Sequence, residues 1–332
     1  MAALFCAAML VLPCSHARQS EADRKALAQL RTQAEQGDVK AQNELGEAYY
    51  AGKRGLTKDL VEAVNWFRKA AEQGHAPAQH HLGVAFYKGE GGEPRDWREA
   101  ARWFRKAAEQ GYAKAQYCLG DVLAQAQNSE TTEARHWFHR AAEQGYSYAE
   151  QRLGLIYLWG FGGVPKDPAE ALKWLRKAAD QDSAIAQAHT AIMYQRGVGV
   201  SKDLAEARKW YRMAAELGWV SAQLELGKMF DDGEGVPKDP TEALKWYRMA
   251  ADHGNSGAQL ILGLRFAEGN GVLTNNLNAY MWFNLAAQGL QAAVNERAKL
   301  EKQMTSEEIA QAKRLSAKFI PRQAPPPHDA PW

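Results

Sequence analysis

One nine-residue stretch recurs along the chain and limits what the chain can fold into. Its first copy, WFRKAAEQG, begins at Trp66. The tryptophans that open the copies lie 37, 34, 37, 36, 36 and 36 residues apart. All seven are predicted to be structural: Trp66, Trp103, Trp137, Trp174, Trp210, Trp246 and Trp282. A fixed period in this range predicts a solenoid of stacked units rather than one globular core.

A second motif, Ala-Gln-x-x-Leu-Gly-x-x-aromatic, precedes the tryptophan motif, with instances at 41–49, 78–86, 222–230 and 258–266. Its alanine, leucine and aromatic residue fall on one helical face. Each unit is therefore predicted to hold two helices: helix A carries this motif, and helix B carries the tryptophan. The glycine after the leucine costs about 1 kcal/mol of helix propensity relative to alanine, so we expect a neighbouring helix to approach it closely.

The connections carry turn and capping signals. A Gly-x-Gly loop follows helix A, and its first glycine suits a helix C-terminus. Helix B opens with an aspartate followed three residues later by glutamate, as at Asp167–Glu170 and Asp239–Glu242, which predicts an N-cap. Tryptophan is too large for one helix pair to cover, so each indole is expected to bury against the next unit.

The N-terminus predicts export. Residues 2–12 are an apolar run, too short to span a membrane, and small residues up to Ala17 follow it. We interpret 1–17 as a cleaved signal peptide and expect a periplasmic or secreted protein. No Lys or Arg precedes the run, so a cytoplasmic chain with an uncleaved N-terminus is the alternative. Cys14 is a poor lipoprotein cysteine because Pro13 precedes it.

The remaining organisation follows from the repeat. Residues 18–37 are predicted to be an N-terminal capping helix, 38–289 seven repeats, 290–320 C-terminal capping helices and 321–332 a disordered Pro-rich tail. Lys and Arg number 41 against 39 Asp and Glu, a net charge of +2. This balance argues against a nucleic-acid surface. After signal cleavage only Cys118 remains, so no disulfide framework is expected.

Three motifs at matched spacing, Ala-x-x-x-Leu-Gly, Gly-x-Gly-Val-x-x-Asp and Ala-x-x-Trp-x-x-x-Ala-Ala, resemble the Sel1-like repeat over about 38–289. The resemblance implies an all-α fold, a right-handed α/α superhelical solenoid of the tetratricopeptide type, with about seven helix pairs and capping helices at both ends. Departures occur in the third loop, 125–129, and at Thr190-Ala191, where Leu-Gly is expected.

The resemblance also implies a function. Sel1-like proteins are adaptors that bind other proteins along a curved face, and exported bacterial ones act in envelope assembly, signalling or host contact. We therefore expect a non-catalytic scaffold for a protein or peptide partner, with no nucleic acid and no stable membrane insertion. A cysteine-rich branch has been linked to penicillin binding. This chain lacks its cysteine pairs, so a peptidoglycan- or β-lactam-interacting envelope enzyme is only an alternative.

Catalytic signatures are absent from the sequence. No Ser-x-x-Lys, Gly-x-Ser-x-Gly, His-Glu-x-x-His or Walker loop occurs. His80-His81 and the pair His136 and His139 lack the further ligands that a metal site needs. No cofactor or metal is predicted. An arginine follows five of the tryptophans by two residues; we expect each to pair with the acid four residues later, as Arg68 with Glu72 and Arg176 with Asp180.

Residues that vary between units while the scaffold repeats are the candidates for the binding groove. The positions flanking Leu-Gly vary freely, and some unmatched aromatic residues stand nearby. Aromatic residues dominate interface hot spots. The predicted groove residues are His81, Tyr87, Arg152, Trp159, Phe161 and Lys228.

Overall fold

A computed structural model describes residues 21–126 and 132–322 of the chain. The predicted signal peptide and Cys14 lie outside the described residues. So do 127–131, which include part of the third loop, and 323–332 of the predicted tail. The described ranges contain α-helices and a single 3-10 turn at Phe161–Gly163, and no β-strand. The predicted all-α fold class is thereby confirmed.

The helices fall into two units that divide after Tyr112. In the first unit they are α1 (Glu21–Glu35), α2 (Val39–Ala51), α3 (Leu60–Glu72), α4 (Ala76–Lys88) and α5 (Trp97–Glu109). In the second unit they are α6 (Ala113–Ala126), α7 (Thr132–Glu143), α8 (Ser147–Trp159), α9 (Pro168–Ala179), α10 (Ala184–Arg196), α11 (Leu204–Glu216), α12 (Val220–Asp232), α13 (Pro240–Asp252), α14 (Ser256–Glu268), α15 (Asn276–Ala286), α16 (Gln291–Glu301) and α17 (Ser306–Ala317).

Helix pairs build the stack. Repeat 1 is α2 with α3, and the pairs continue in order to repeat 7, which is α14 with α15. Within each unit, helices pack mainly on their neighbours in the chain. At the end of the second unit, α15 also packs on α17. This nearest-neighbour packing is what makes a solenoid grow along one axis.

The glycine of helix A allows the two helices of a pair to touch. A Cβ built on Gly263 would lie 2.4 Å from Phe283, and one on Gly227 would lie 2.5 Å from Tyr247. Corresponding glycines in five of the six Leu-Gly repeats face an aromatic ring in helix B, and Gly154 faces Leu175. The close approach predicted from the sequence is confirmed, since no larger residue fits at this distance.

The predicted aspartate N-caps and closing glycines are both found at the helix ends. The side chains of Asp59, Asp167 and Asp239 accept hydrogen bonds from backbone amides at the start of helix B. Helix A of repeats 1, 2, 4, 5, 6 and 7 ends at a glycine with φ between 62° and 77°. That left-handed conformation costs glycine no Cβ clash.

All seven repeat tryptophans are buried, with exposed fractions of 3–8%. The expectation that the following unit covers each indole is wrong for Trp66 and Trp174. Trp66 belongs to a cluster with Leu27, Leu30 and Leu45 of α1 and α2. The ring centroid of Trp174 lies 5.9 Å from that of His139 in the preceding repeat. Helix B in these repeats therefore presents its indole to the preceding helices.

A glutamine ladder joins consecutive helices and was missed in the sequence. The side-chain amide of Gln79 donates to the Ala71 carbonyl at 3.1 Å, and its oxygen accepts from Gln110 at 2.8 Å. Equivalent glutamines, spaced one repeat apart, donate to a carbonyl of the preceding helix in repeats 1, 2, 5, 6 and 7. Each of these carbonyls also accepts a backbone N–H at the end of its own helix, so the buried amide adds a second hydrogen bond to the same oxygen.

The ladder is incomplete in repeats 5 and 6. Leu217 and His253 stand where earlier repeats have the second glutamine. The buried Oε1 atoms of Gln187 and Gln223 have no hydrogen-bond partner among the described residues. In repeat 4, Glu150 replaces the first glutamine and its carboxylate accepts from Gln181 at 2.7 Å.

Candidate functional site

The exposed side of each helix A carries one stripe of side chains. On α8 the stripe is Tyr148, Arg152, Leu155 and Trp159, spaced four, three and four residues apart. The first three are half-buried and Trp159 is exposed. This spacing keeps all four on one helical face. We call this the helix-A face. His81, Arg152, Trp159 and Lys228 of the predicted groove lie on it.

The predicted residues differ in how much they offer to a partner. The Nδ1 atom of His81 lies 3.2 Å from the side-chain oxygen of Asn43, and its ring centroid lies 4.4 Å from that of Phe67. Tyr87 is half-buried, with the Arg95 guanidinium 5.9 Å from its ring centroid. These contacts hold both rings against the scaffold.

Arg152 and Lys228 are also engaged by the protein. The Arg152 guanidinium lies 5.7 Å from the Phe138 ring centroid. The Lys228 ammonium pairs with Glu225 at 2.7 Å on its own helix. Lys228 therefore adds little net charge to the face.

Trp159 and Phe161 are the most open of the predicted residues, with 52% and 50% of their surface exposed. They flank Gly160, where α8 ends and the 3-10 turn begins. Exposed large aromatic side chains this close together are a common feature of protein interaction sites.

A tyrosine cluster lies at the other end of the α8 stripe. The ring centroids of Tyr117, Tyr146 and Tyr148 lie 5.6–5.9 Å from one another. Burial raises the pKa of the Tyr117 hydroxyl well above its ordinary value. Burial also raises the pKa of Asp121, against the opposing influence of Arg152 and of a hydrogen bond from Gln125. Arg152 therefore only partly offsets the effect of burial on the pKa of Asp121.

The predicted arginine pairing is wrong for two of the five arginines. Arg68 pairs with Glu93, which belongs to the following repeat. Arg176 donates to the hydroxyl of Tyr194 on α10 at 3.4 Å. Lysines at the start of helix B pair instead with the glutamate three residues earlier, as Lys245 does with Glu242 at 2.7 Å. Arg68 and Arg176 therefore each contact the following repeat rather than forming the predicted local pair.

Cys118 and His80, whose side chains are of types that can react or bind metals, are both buried. Cys118 is buried, and burial raises the pKa of its thiol well above the ordinary value. His80 is buried and its ring lies 5.5 Å from that of Tyr112. Within 21–126 and 132–322, no three His, Cys, Asp or Glu residues are grouped to hold a metal ion. None of the helices in those ranges is both long and apolar enough to cross a membrane.

The fold and this face define the class of protein: an α/α solenoid of tandem helix pairs, an architecture used mainly for protein–protein interaction. The Sel1 repeat model matches seven segments, 39–75, 76–112, 113–146, 147–183, 184–219, 220–255 and 256–289. The chain belongs to the Sel1-repeat family, whose members are in general non-catalytic scaffolds.

Two solved structures are similar over most of the chain. One is c5321, a protective antigen present in uropathogenic Escherichia coli strains that displays an SLR fold, with 34% identity and a TM-score of 0.78. The match covers 89% of this chain but only 63% of that protein. The other is a Sel1 repeat protein from Oxalobacter formigenes, with 33% identity, a TM-score of 0.66, and coverage of 86% and 83%. No curated protein matches the chain.

Proposed function

We propose that this chain is a non-catalytic scaffold that binds a protein or peptide partner on the helix-A face. One observation carries the proposal. The residues that pack the helices recur from repeat to repeat, whereas the positions beside Leu-Gly on helix A vary between repeats, as His81, Arg152 and Glu225 show. A face that is not needed for packing can be specialised for a partner, and stacked repeats within a unit present such faces side by side.

The six predicted groove residues are expected to contribute unequally to partner binding. Trp159 and Phe161 are the anchors because they are exposed, large and adjacent. Arg152 supports them from the same stripe. His81 and Lys228 lie at stripe positions of other helices A and Tyr87 does not, and each of the three already has a partner within the scaffold. We expect their substitution to weaken partner binding less than substitution of Trp159.

Photo-crosslinking tests the face directly. A benzophenone amino acid at position 159 should crosslink one protein in living cells, and the same group at Lys245, exposed on helix B, should not. The captured protein is then purified and its affinity measured for the parent chain and for Trp159→Ala. Equal crosslinking at both positions, or unchanged affinity for the variant, would contradict the proposal.

We further propose that the protein acts in the bacterial cell envelope. The support is the apolar run of 2–12 followed by small residues up to Ala17. Determination of the N-terminal residue of the native protein tests this: cleavage after Ala17 leaves Arg18 first. Recovery of the intact N-terminus in the cytoplasmic fraction would favour the cytoplasmic scaffold instead.

A further inference from the structure

The loops that close helix A differ sharply between repeats 4, 5 and 6. We define the rim positions as the residue immediately before and the residue immediately after the glycine that ends helix A. In repeat 4 they are Trp159 and Phe161, both about half exposed. In repeat 5 they are the exposed Arg196 and the half-buried Val198. The register of the repeats places them at corresponding points of consecutive pairs, so one segment can reach both.

Two further cations belong to this rim. The side chain of Lys166 lies over Gly160, with its Cγ atom 3.1 Å from a Cβ built there. In the next repeat Lys202 lies over Gly197, with its Cβ atom 3.4 Å from the corresponding point. Lys166, Arg196 and Lys202 take part in no ion pair among the described residues.

The acids nearest in sequence are already used by the backbone. The Asp167 carboxylate accepts from the amide of Glu170 at 3.0 Å. Asp203 accepts from the amides of Ala205 and Glu206 at 2.9 and 3.0 Å. These carboxylates cap helix B, and no ion pair with a rim cation is recorded among the described residues. The rim of repeats 4 and 5 is therefore both aromatic and basic.

We propose that this rim binds an extended, acidic segment of a partner protein that carries a large apolar side chain. The inference rests on the proposed scaffold function and names the chemistry of the partner. The apolar side chain packs against Trp159 and Phe161, where exposed aromatic area is available for burial. The carboxylates of the partner segment face Lys166, Arg196 and Lys202. This arrangement gives charge complementarity and an association rate that depends on salt.

The charges of repeat 6 favour a protein segment over an anionic membrane as the partner of this rim. Exposed tryptophan beside lysine also suits a lipid interface. In repeat 6, however, the rim positions are Asp232 and Glu234, both acidic, and Lys238 is the cation that lies over Gly233 beside them. A flat anionic surface that met repeats 4 and 5 would meet these carboxylates as well, and like charges repel. A protein segment can end before repeat 6, so it avoids that repulsion.

A designed peptide tests the proposal with the full chain. The probe is a short fluorescein-labelled peptide of Glu, Asp and Gly with one central Phe, and fluorescence anisotropy reports its binding. Its amide counterpart replaces every Glu and Asp by Gln and Asn. We expect the acidic peptide to bind at least about tenfold more tightly, with affinity that falls as salt rises. Equal affinity for the two peptides would overturn the proposal.

Paired variants locate the site. Trp159→Ala with Phe161→Ala, and separately Arg196→Ala with Lys202→Ala, should each weaken the acidic peptide by about tenfold or more. Trp97→Ala removes a tryptophan that is 47% exposed elsewhere. Lys238→Ala removes the lysine that lies over Gly233 in repeat 6. Both controls should change affinity less than about twofold. Equal losses in the controls would place the peptide elsewhere and overturn the assignment.

Vesicles of anionic lipid complete the test. We expect no binding of the chain to these vesicles at a salt concentration at which it still binds the acidic peptide. Binding to vesicles together with no preference for the acidic peptide would replace this proposal with a membrane contact. If the crosslinking experiment captures a partner at position 159 while the peptides are not distinguished, the partner chemistry is wrong and the scaffold function stands.

Discussion

Glu150 shows how one residue can alter a repeated interaction. Its side chain is 3% exposed and occupies the position that holds glutamine in every other repeat. Glutamine there donates to a carbonyl of the preceding helix B, and an ionised carboxylate has no proton to donate. Burial raises the pKa of Glu150, an effect opposed by Lys177 and reinforced by Asp180. Its protonated form resembles the glutamine it replaces.

We predict that Glu150→Gln stabilises the protein by about 1 kcal/mol at neutral pH, the net contribution of one recovered hydrogen bond. A pKa raised by folding makes the native state lose stability as pH rises from the unfolded pKa to the folded pKa. The advantage of the variant should therefore be largest at neutral pH and shrink as the pH falls towards 4.5, the ordinary glutamate value. Urea unfolding over this range measures it.

Gln187→Glu is the matched control in the next repeat. It should introduce the same pH dependence that Glu150→Gln removes, because Gln187 donates to the Ala179 carbonyl at 3.0 Å in the same way. A stability difference between parent and Glu150→Gln that does not change with pH would show that folding leaves the pKa of the Glu150 carboxyl unchanged.

Two glycines of α14 allow the effect of close packing on stability to be measured apart from the effect of helix propensity. Gly263 lies against Phe283, where a Cβ would come within 2.4 Å, whereas a Cβ on Gly257 would meet its nearest atom at 3.2 Å. We predict that Gly263→Ala destabilises the protein by about 1–3 kcal/mol through overpacking. Gly257→Ala should stay within about 1 kcal/mol of the parent. Thermal unfolding of both variants checks this, and equal effects would show that Phe283 moves aside.

At the scale of the element, the helix pair depends on its tryptophan. Trp174 is 6% exposed and packs in a cluster with Phe138, Leu153 and Ile156 of repeats 3 and 4. The same indole also has the Lys177 ammonium 4.2 Å from its ring centroid. The indole of Trp174 therefore packs repeat 4 against repeat 3.

We predict that Trp174→Ala lowers the free energy of unfolding by about 3–5 kcal/mol, the usual cost of truncating a buried tryptophan. Trp97→Ala removes the same side chain from a half-exposed position at the start of α5. It should cost less than about 1 kcal/mol. Chemical denaturation of both variants gives the comparison; similar losses would mean that the indole of Trp174 contributes little to the packing between repeats.

At the scale of the molecule, nearest-neighbour packing limits how far a local defect spreads. In the second unit α13 contacts α12 and α14, and α7 contacts α6 and α8. The stability of such an array is approximately a sum of repeat and interface contributions. A defect in one repeat should therefore loosen its neighbours first.

We predict that Trp246→Ala on α13 accelerates amide hydrogen exchange in repeats 5–7, and leaves α6 and α7 close to the parent values. Exchange reports the free energy of local opening, which varies along a chain whose contacts are local. Mass spectrometry of exchanged peptides measures it. Uniform acceleration through all helices of the second unit would show that the unit opens as one cooperative body.

The features that the sequence predicts correctly are those that recur from repeat to repeat. The helix pairs, the aspartate caps, the closing glycines and the contact at the Leu-Gly glycine depend on local or repeated interactions, so each copy in the sequence tests the others. Trp159 and Phe161 were found because no other repeat has aromatic residues there. Those two residues are exposed, as a groove anchor requires. Their role in binding is still a prediction.

By itself the sequence determined the family, the all-α fold and the period, because these follow from side-chain spacing along the chain. Only the tertiary structure decided which way Trp66 and Trp174 face, that Arg68 reaches Glu93 in the following repeat, and where the glutamine ladder breaks. Those outcomes depend on contacts between residues far apart in sequence, and such contacts differ from repeat to repeat.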